Sequence, residues 1–125
     1  MLNLTNIMIG SPDPKALAAF YEKVLEKKPE MIDGDWYGFS AGACFISMGP
    51  HDKVNGQSQN PERLMINFDS DQVKQEFERI KSLGAKVIAE PYSMGAEGEV
   101  EYWIATLADP DGNYFQLTTP WDAKK

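Results

Sequence analysis

The spacing of apolar and polar positions changes along the chain, and each change marks an element. Leu2 to Ile9 alternates weakly, with Asn6 and Met8 on one side and Ile7 and Ile9 on the other, and reads as a first strand. Ser11-Pro12-Asp13-Pro14 then opens a helix. Asp13 suits the N-cap, and Pro14 suits the first helical position, where a missing N–H is harmless. Leu17, Phe20, Tyr21, Val24 and Leu25 recur at helical spacing, and Pro29 closes the segment. Short strands follow at Met31-Ile32, Trp36 to Ser40 and Cys44 to Gly49, with turns at Gly34 and Ala41-Gly42. The second half repeats the order. A strand at Leu64 to Asp69 leads into a helix from Asp71 to about Leu83, with Val73, Phe77 and Ile80 inward and Gly84 as its cap. A strand at Lys86 to Ala89, a Gly-rich loop at Pro91 to Glu99, and strands at Glu101 to Leu107 and Tyr114 to Thr118 complete the chain.

The run Asp109-Pro110-Asp111-Gly112-Asn113 carries the strongest local signal. Pro110 presets one turn dihedral, Gly112 supplies a positive φ, and the Asp and Asn side chains fold back onto the backbone. In the strand after it, Phe115 and Leu117 fall on one face and Tyr114, Gln116 and Thr118 on the other. A faint internal repeat links the halves. Tyr21-Glu22-Lys23-Val24 with Met31-Ile32 matches Phe77-Glu78-Arg79-Ile80 with Val87-Ile88 at the same spacing. The fold expected is α+β: two tandem βαβββ modules forming a curved mixed sheet around a cup, with the helices on the outside. We expect one domain over residues 1–125, with a first module at about 1–50, a polar connector at 51–63 and a second module at about 64–120.

Composition narrows the function classes. With 12 Lys and Arg against 19 Asp and Glu, the net charge is −7, which argues against nucleic acid as a partner because phosphate contacts demand clustered cations. Cys44 is the only cysteine, so no intrachain disulfide forms, and it reads as an inert core residue. No stretch has the pattern of a leader or a membrane span, and a cytoplasmic setting is expected with no membrane partner. His51, the only histidine, lies in the polar connector and reads as a solvated loop residue. No Ser-His-Asp or Cys-His arrangement and no Gly-rich phosphate loop is present.

The segments Asn6-Ile7-Met8-Ile9, Pro12-Asp13, Ala19 to Leu25, Glu78 to Ala85 and Asp109 to Leu117, in this order, resemble the vicinal oxygen chelate superfamily. That superfamily includes glyoxalase I, extradiol dioxygenases and bleomycin-resistance proteins. The resemblance implies metal ligands at the positions of Asn6, Met65 (within a shift of one or two residues) and Gln116, where metalloenzyme members carry His, Gln or Glu. Ser47 or Met48 stands where some members place a further Glu. Zn, Ni, Mn or Fe requires imidazole or carboxylate ligands, and these residues supply none.

The expectation is therefore a protein without catalytic residues, metal or other cofactor. It would bind and sequester a flat, cationic organic molecule, as bleomycin-resistance proteins do, and the resemblance implies a homodimer. Trp36 and Trp103 would stack on the ligand. Asn6, Tyr114 and Gln116 would hydrogen-bond it, Phe45 and Tyr92 would belong to the aromatic lining, and Met65 would add a soft, adaptable wall. Gly95 and Gly98 would let the loop from Tyr92 close. The alternative is a glyoxalase-like lyase or isomerase acting on a small carbonyl compound, with a divalent metal held by an atypical set such as Glu99 or Glu101, or with none.

Overall fold

The computed structural model describes residues 1–94 and 101–121. The chain divides into two units, with the boundary between Gln57 and Ser58. Each unit has one helix and one four-stranded mixed sheet, which gives the expected α+β class and two βαβββ modules.

In the first unit the elements are β1 (Asn6–Gly10), α1 (Pro14–Leu25), β2 (Met31–Asp33), β3 (Trp36–Ala41) and β4 (Cys44–Gly49). The sheet order is β1-β4-β3-β2; β1 runs parallel to β4, and the other pairs are antiparallel. The first strand begins at Asn6 rather than Leu2, and Leu2 and Leu4 are exposed outside it. Helix α1 starts as its residues dictate: the Asp13 carboxylate accepts from the Ala16 N–H, and Pro14 sits in the first turn. It stops four residues before Pro29, because Glu26 adopts a left-handed conformation (φ 56°) and its N–H bonds the Glu22 carbonyl. Leu17, Ala18, Tyr21 and Val24 are buried against the sheet, together with Phe39, Ile46 and Met48.

In the second unit the elements are β5 (Ile66–Asp69), α2 (Val73–Ser82), β6 (Lys86–Ser93), β7 (Trp103–Ala108) and β8 (Tyr114–Thr118), with a 3-10 turn at Pro61–Arg63 before β5. The order β5-β8-β7-β6, with β5 parallel to β8, repeats the topology of the first unit. Val73, Phe77 and Ile80 of α2 are buried with Ala105, Leu107, Phe115 and Leu117. Gly84 follows the helix with φ 96°, a conformation that an L side chain rarely adopts.

Strand β6 runs four residues beyond the expected Ala89, so Pro91 and Tyr92 belong to a strand and not to a loop. The alternation was hard to see because the β6–β7 register shifts twice, between Val87 and Ala89 and between Ala89 and Tyr92. Pro91 is tolerated because β6 is an edge strand, where a missing N–H need not break a ladder. Gly95, Gly98 and Glu99 lie outside the described residues.

The closing turn is held by one carboxylate. Asp109 Oδ1 accepts from the Asp111 and Asn113 N–H groups at 2.9 and 3.0 Å, and Oδ2 accepts from Asn113 Nδ2 at 3.0 Å. Gly112 takes φ 80°, as the turn requires, and the Asp111 carbonyl accepts from the Ser58 N–H at 2.9 Å.

Candidate ligand site

In each unit the helix covers one face of the sheet, and strand pairing identifies the residues on the other, distal face. In the first unit Asn6 is paired with Phe45, Met8 with Ser47, Gly38 with Ser47, and Ser40 with Phe45. These alternate with Ile7, Ile9, Phe39 and Ile46 on the helix side. Trp36 and Gly49 belong to the distal face as well. A Cβ added at Gly49 would overlap the Trp36 indole, and one at Gly38 would overlap the Phe45 ring. Both aromatic side chains therefore lie over backbone that carries no side chain of its own. Trp36 and Phe45 are half-buried, Asn6 is exposed, and Met8 is 57% exposed. The Asn6 amide nitrogen donates to the Thr5 hydroxyl at 2.9 Å.

The distal face of the second unit is polar. Asn67 of β5 pairs with Gln116 of β8, and Gln116 pairs with Thr106 of β7, so two amides and a hydroxyl form one row across three strands. Gln116 Nε2 donates to Thr106 Oγ1 at 3.0 Å. Asp69, paired with Thr118, stands on the next rung, and Tyr114 flanks the row on the other side, opposite Ala108. Asn67 and Asp69 are exposed, while Gln116 and Tyr114 are half-buried. Tyr92, 45% exposed, pairs with Ile104.

Trp103 stands apart from this row. It shares its side of β7 with the buried Ala105 and Leu107, and Lys74 Nζ of α2 lies 3.7 Å from its ring centroid. Its indole N–H donates to the Glu101 carboxylate at 2.8 Å. A ring already faced by a cation on the helix side is not placed to stack on a ligand beside Gln116. Met65 precedes β5, and the residue in register with Gln116 is Asn67, two positions on.

A glyoxalase-like domain model matches residues 6–118. The chain belongs to the glyoxalase-like domain family. Its fold is that of the vicinal oxygen chelate superfamily. No curated protein sequence matches it significantly. Among solved structures, it is similar to a glyoxalase/bleomycin resistance protein/dioxygenase family enzyme from Burkholderia phytofirmans PsJN, with a TM-score of 0.75 and 22% identity over 94% of this chain and 98% of that one. It is also similar to a glyoxalase-related enzyme from Fulvimarina pelagi (TM-score 0.73, 14% identity, covering 96% and 89%). A third is a glyoxalase/bleomycin resistance protein from Albidiferax ferrireducens T118 (0.70, 17%, covering 93% and 98%). At these identities the likeness shows the fold alone.

The donors at the positions of Asn6, Met65, Asn67 and Gln116 are not those a divalent metal of the metalloenzyme members takes. Asn6, Asn67 and Gln116 offer neutral amides and Met65 a thioether, where such a metal takes imidazole or carboxylate. Among the described residues, no three His, Cys, Asp or Glu side chains come together as a metal-holding group. His51 is exposed, and its Nδ1 accepts from the Lys53 N–H at 3.1 Å. Cys44, expected in the core, is only partly buried. Among the described residues, no helix is long and apolar enough to cross a membrane.

The sequence reading did not single out Asn67 or Thr106. The signal was present in part. Once Gln116 is assigned to the distal face, alternation within Leu64 to Asp69 and Glu101 to Leu107 offers one polar set per strand, and only the register decides which members meet.

Proposed function

We propose that this glyoxalase-like domain is a metal-independent binding protein that holds and sequesters a flat organic molecule. The carrying observation is the placement of Trp36 and Phe45 across Gly49 and Gly38. Rings lying over bare backbone present their faces outward, which is the geometry a planar ligand needs for stacking. Asn6, beside Phe45, supplies a polar group at the edge of that surface. The amide at Gln116 supports independence from metal, because a neutral side chain engaged with Thr106 stands where metalloenzyme members carry a carboxylate. The acidic balance, −7, favours a cationic ligand. A homodimer, implied by the superfamily resemblance, belongs to the same proposal and is checked by light scattering.

The test uses the Trp103→Phe/Trp121→Phe variant, in which Trp36 is the one remaining tryptophan. Saturable quenching of Trp36 by flat aromatic compounds, undisturbed by a chelator, is the expected result. A second arm titrates Zn, Ni, Mn and Fe(II) by calorimetry. Tight stoichiometric metal binding, or flat ligands that leave Trp36 emission unchanged, would overturn the proposal and return the glyoxalase-like lyase to first place.

A further inference from the structure

The polar row of the second unit has a directional character that the aromatic surface of the first lacks. Gln116 commits its Nε2 to Thr106, on the β7 side. That bond does not use the amide oxygen Oε1, and Asn67 and Asp69 lie on the neighbouring strand β5. The acceptors available there are one carboxylate and two amide oxygens. Lys86 is the one cation on this face among the described residues; it pairs with Ala108, on the Tyr114 rung at the β6 edge, at the opposite corner from Asp69.

We propose that Asp69, Asn67 and Gln116 recognise a planar N–H-donating cation, a guanidinium or amidinium group. This rests on the reading of the protein as a binder of flat molecules and names a chemical class that the second unit's own face would take. Adjacent strands lie about 4.8 Å apart, and alternate residues about 6.6 Å along a strand. The acceptors on Asp69 and Gln116 therefore sit at a diagonal of roughly 7–8 Å before side-chain movement. A guanidinium or amidinium, with N–H groups on more than one edge and bonds of about 2.9 Å on each, spans that separation in its own plane. A primary ammonium is a point donor and reaches one of the acceptors at a time. Thr106 acts as a positioning residue by holding the Gln116 amide in the accepting orientation.

The experiment titrates the full chain with benzamidine and its neutral isostere benzamide, followed by calorimetry and amide-resolved NMR. Benzamidine is expected to bind more tightly than benzamide, with shifts centred on Asn67, Asp69 and Gln116. Asp69→Asn is expected to weaken benzamidine by about tenfold or more, the range for losing a charge-assisted hydrogen bond. Asn67→Asp is expected to tighten it, which guards against reading a misfolded variant as a lost contact. Equal binding of the two probes, or affinity indifferent to both substitutions, would overturn the assignment. A neutral probe, 2-naphthol, is followed in parallel through Trp36. If, in the Trp103→Phe/Trp121→Phe background, it quenches Trp36 equally with and without Asp69→Asn while benzamidine fails to discriminate, the cation site is wrong and the aromatic surface stands. If 2-naphthol fails as well, the binding reading itself is lost.

Discussion

Gly49→Ala isolates the packing of Trp36. Gly49 is buried in β4, and its φ is not in the left-handed region, so the backbone accepts alanine without strain. The nearest obstacle is the indole, whose Cδ2, Cε2 and Cε3 are the three closest atoms to the added Cβ. The middle of a rigid bicyclic ring cannot bend away, so the whole side chain must rotate off the strand. A tryptophan buries roughly 150–250 Å², and uncovering about 80–100 Å² of it at about 25 cal/mol per Å² costs roughly 2–2.5 kcal/mol. That agrees with the range of about 1–3 kcal/mol for overpacking. The assay is urea unfolding of Gly49→Ala, Trp36→Ala and the double variant, together with Trp36 emission in the Trp103→Phe/Trp121→Phe background. The single glycine change is expected to lower stability by about 2 kcal/mol and to shift Trp36 emission to the red. In the Trp36→Ala background the same change should be neutral, or stabilising by about 0.4–1 kcal/mol through the unfolded chain. A coupling energy near zero, or unchanged Trp36 emission, would refute the claim that the ring occupies the space above Gly49.

Three further outcomes follow from contacts elsewhere. Asp109→Ala removes a buried carboxylate that accepts three hydrogen bonds in the closing turn, and it should lower stability by about 3 kcal/mol in urea unfolding, with Asp109→Asn milder. Thr106→Val deletes the acceptor of the Gln116 amide at nearly constant volume, and a loss of about 1 kcal/mol is expected together with altered Gln116 side-chain amide NMR shifts. Glu30 accepts from Lys27 and from the Ser40 N–H, and the Lys27 hydrogen bond, followed by those of Ser40, holds its carboxyl down at about 2 from 4.5. A depressed folded-state value means that the charged form stabilises the native state above the ordinary value, and that this contribution fades as pH falls from about 4.5 through about 2. Glu30→Gln should therefore be less stable than wild type at pH 7, and the gap should close across that window when unfolding is followed against pH.

Local chemistry made much of the fold legible. Asp13 and Pro14 start α1 as their side chains require, Gly34 and Gly42 take φ 61° at the expected turns, and β8 spans the residues its alternation marked. The misses have physical reasons. Leu2 and Leu4 continue the alternation of β1, but Asn6 is the first residue whose pairing with β4 is established, so the pattern ran past the strand. Pro91 and two register shifts hid the second half of β6. The candidate site was legible by residue type and not by partner. Alternation assigned Gln116 and Tyr114 to one face, whereas the side that Trp103 takes depends on which way the whole strand turns toward α2. The placement of Lys74 over its ring decides that, and no periodicity within the strand contains it.

The two units share one device and differ in what it carries. In each, a parallel pair joins the first strand of the module to its last, and the first distal rung of that pair begins with an asparagine: Asn6 opposite Phe45, and Asn67 opposite Gln116. The residue one step along turns to the helix side in both cases, Ile7 beside Ile46 and Phe68 beside Leu117, so the core constrains these positions alike. The distal positions escape that constraint. In the first unit they have become an aromatic ring lying over a glycine, and in the second an amide bonded to a threonine. The repeated topology thus gives two equivalent slots that differ in chemistry while each module's helix-side packing is apolar.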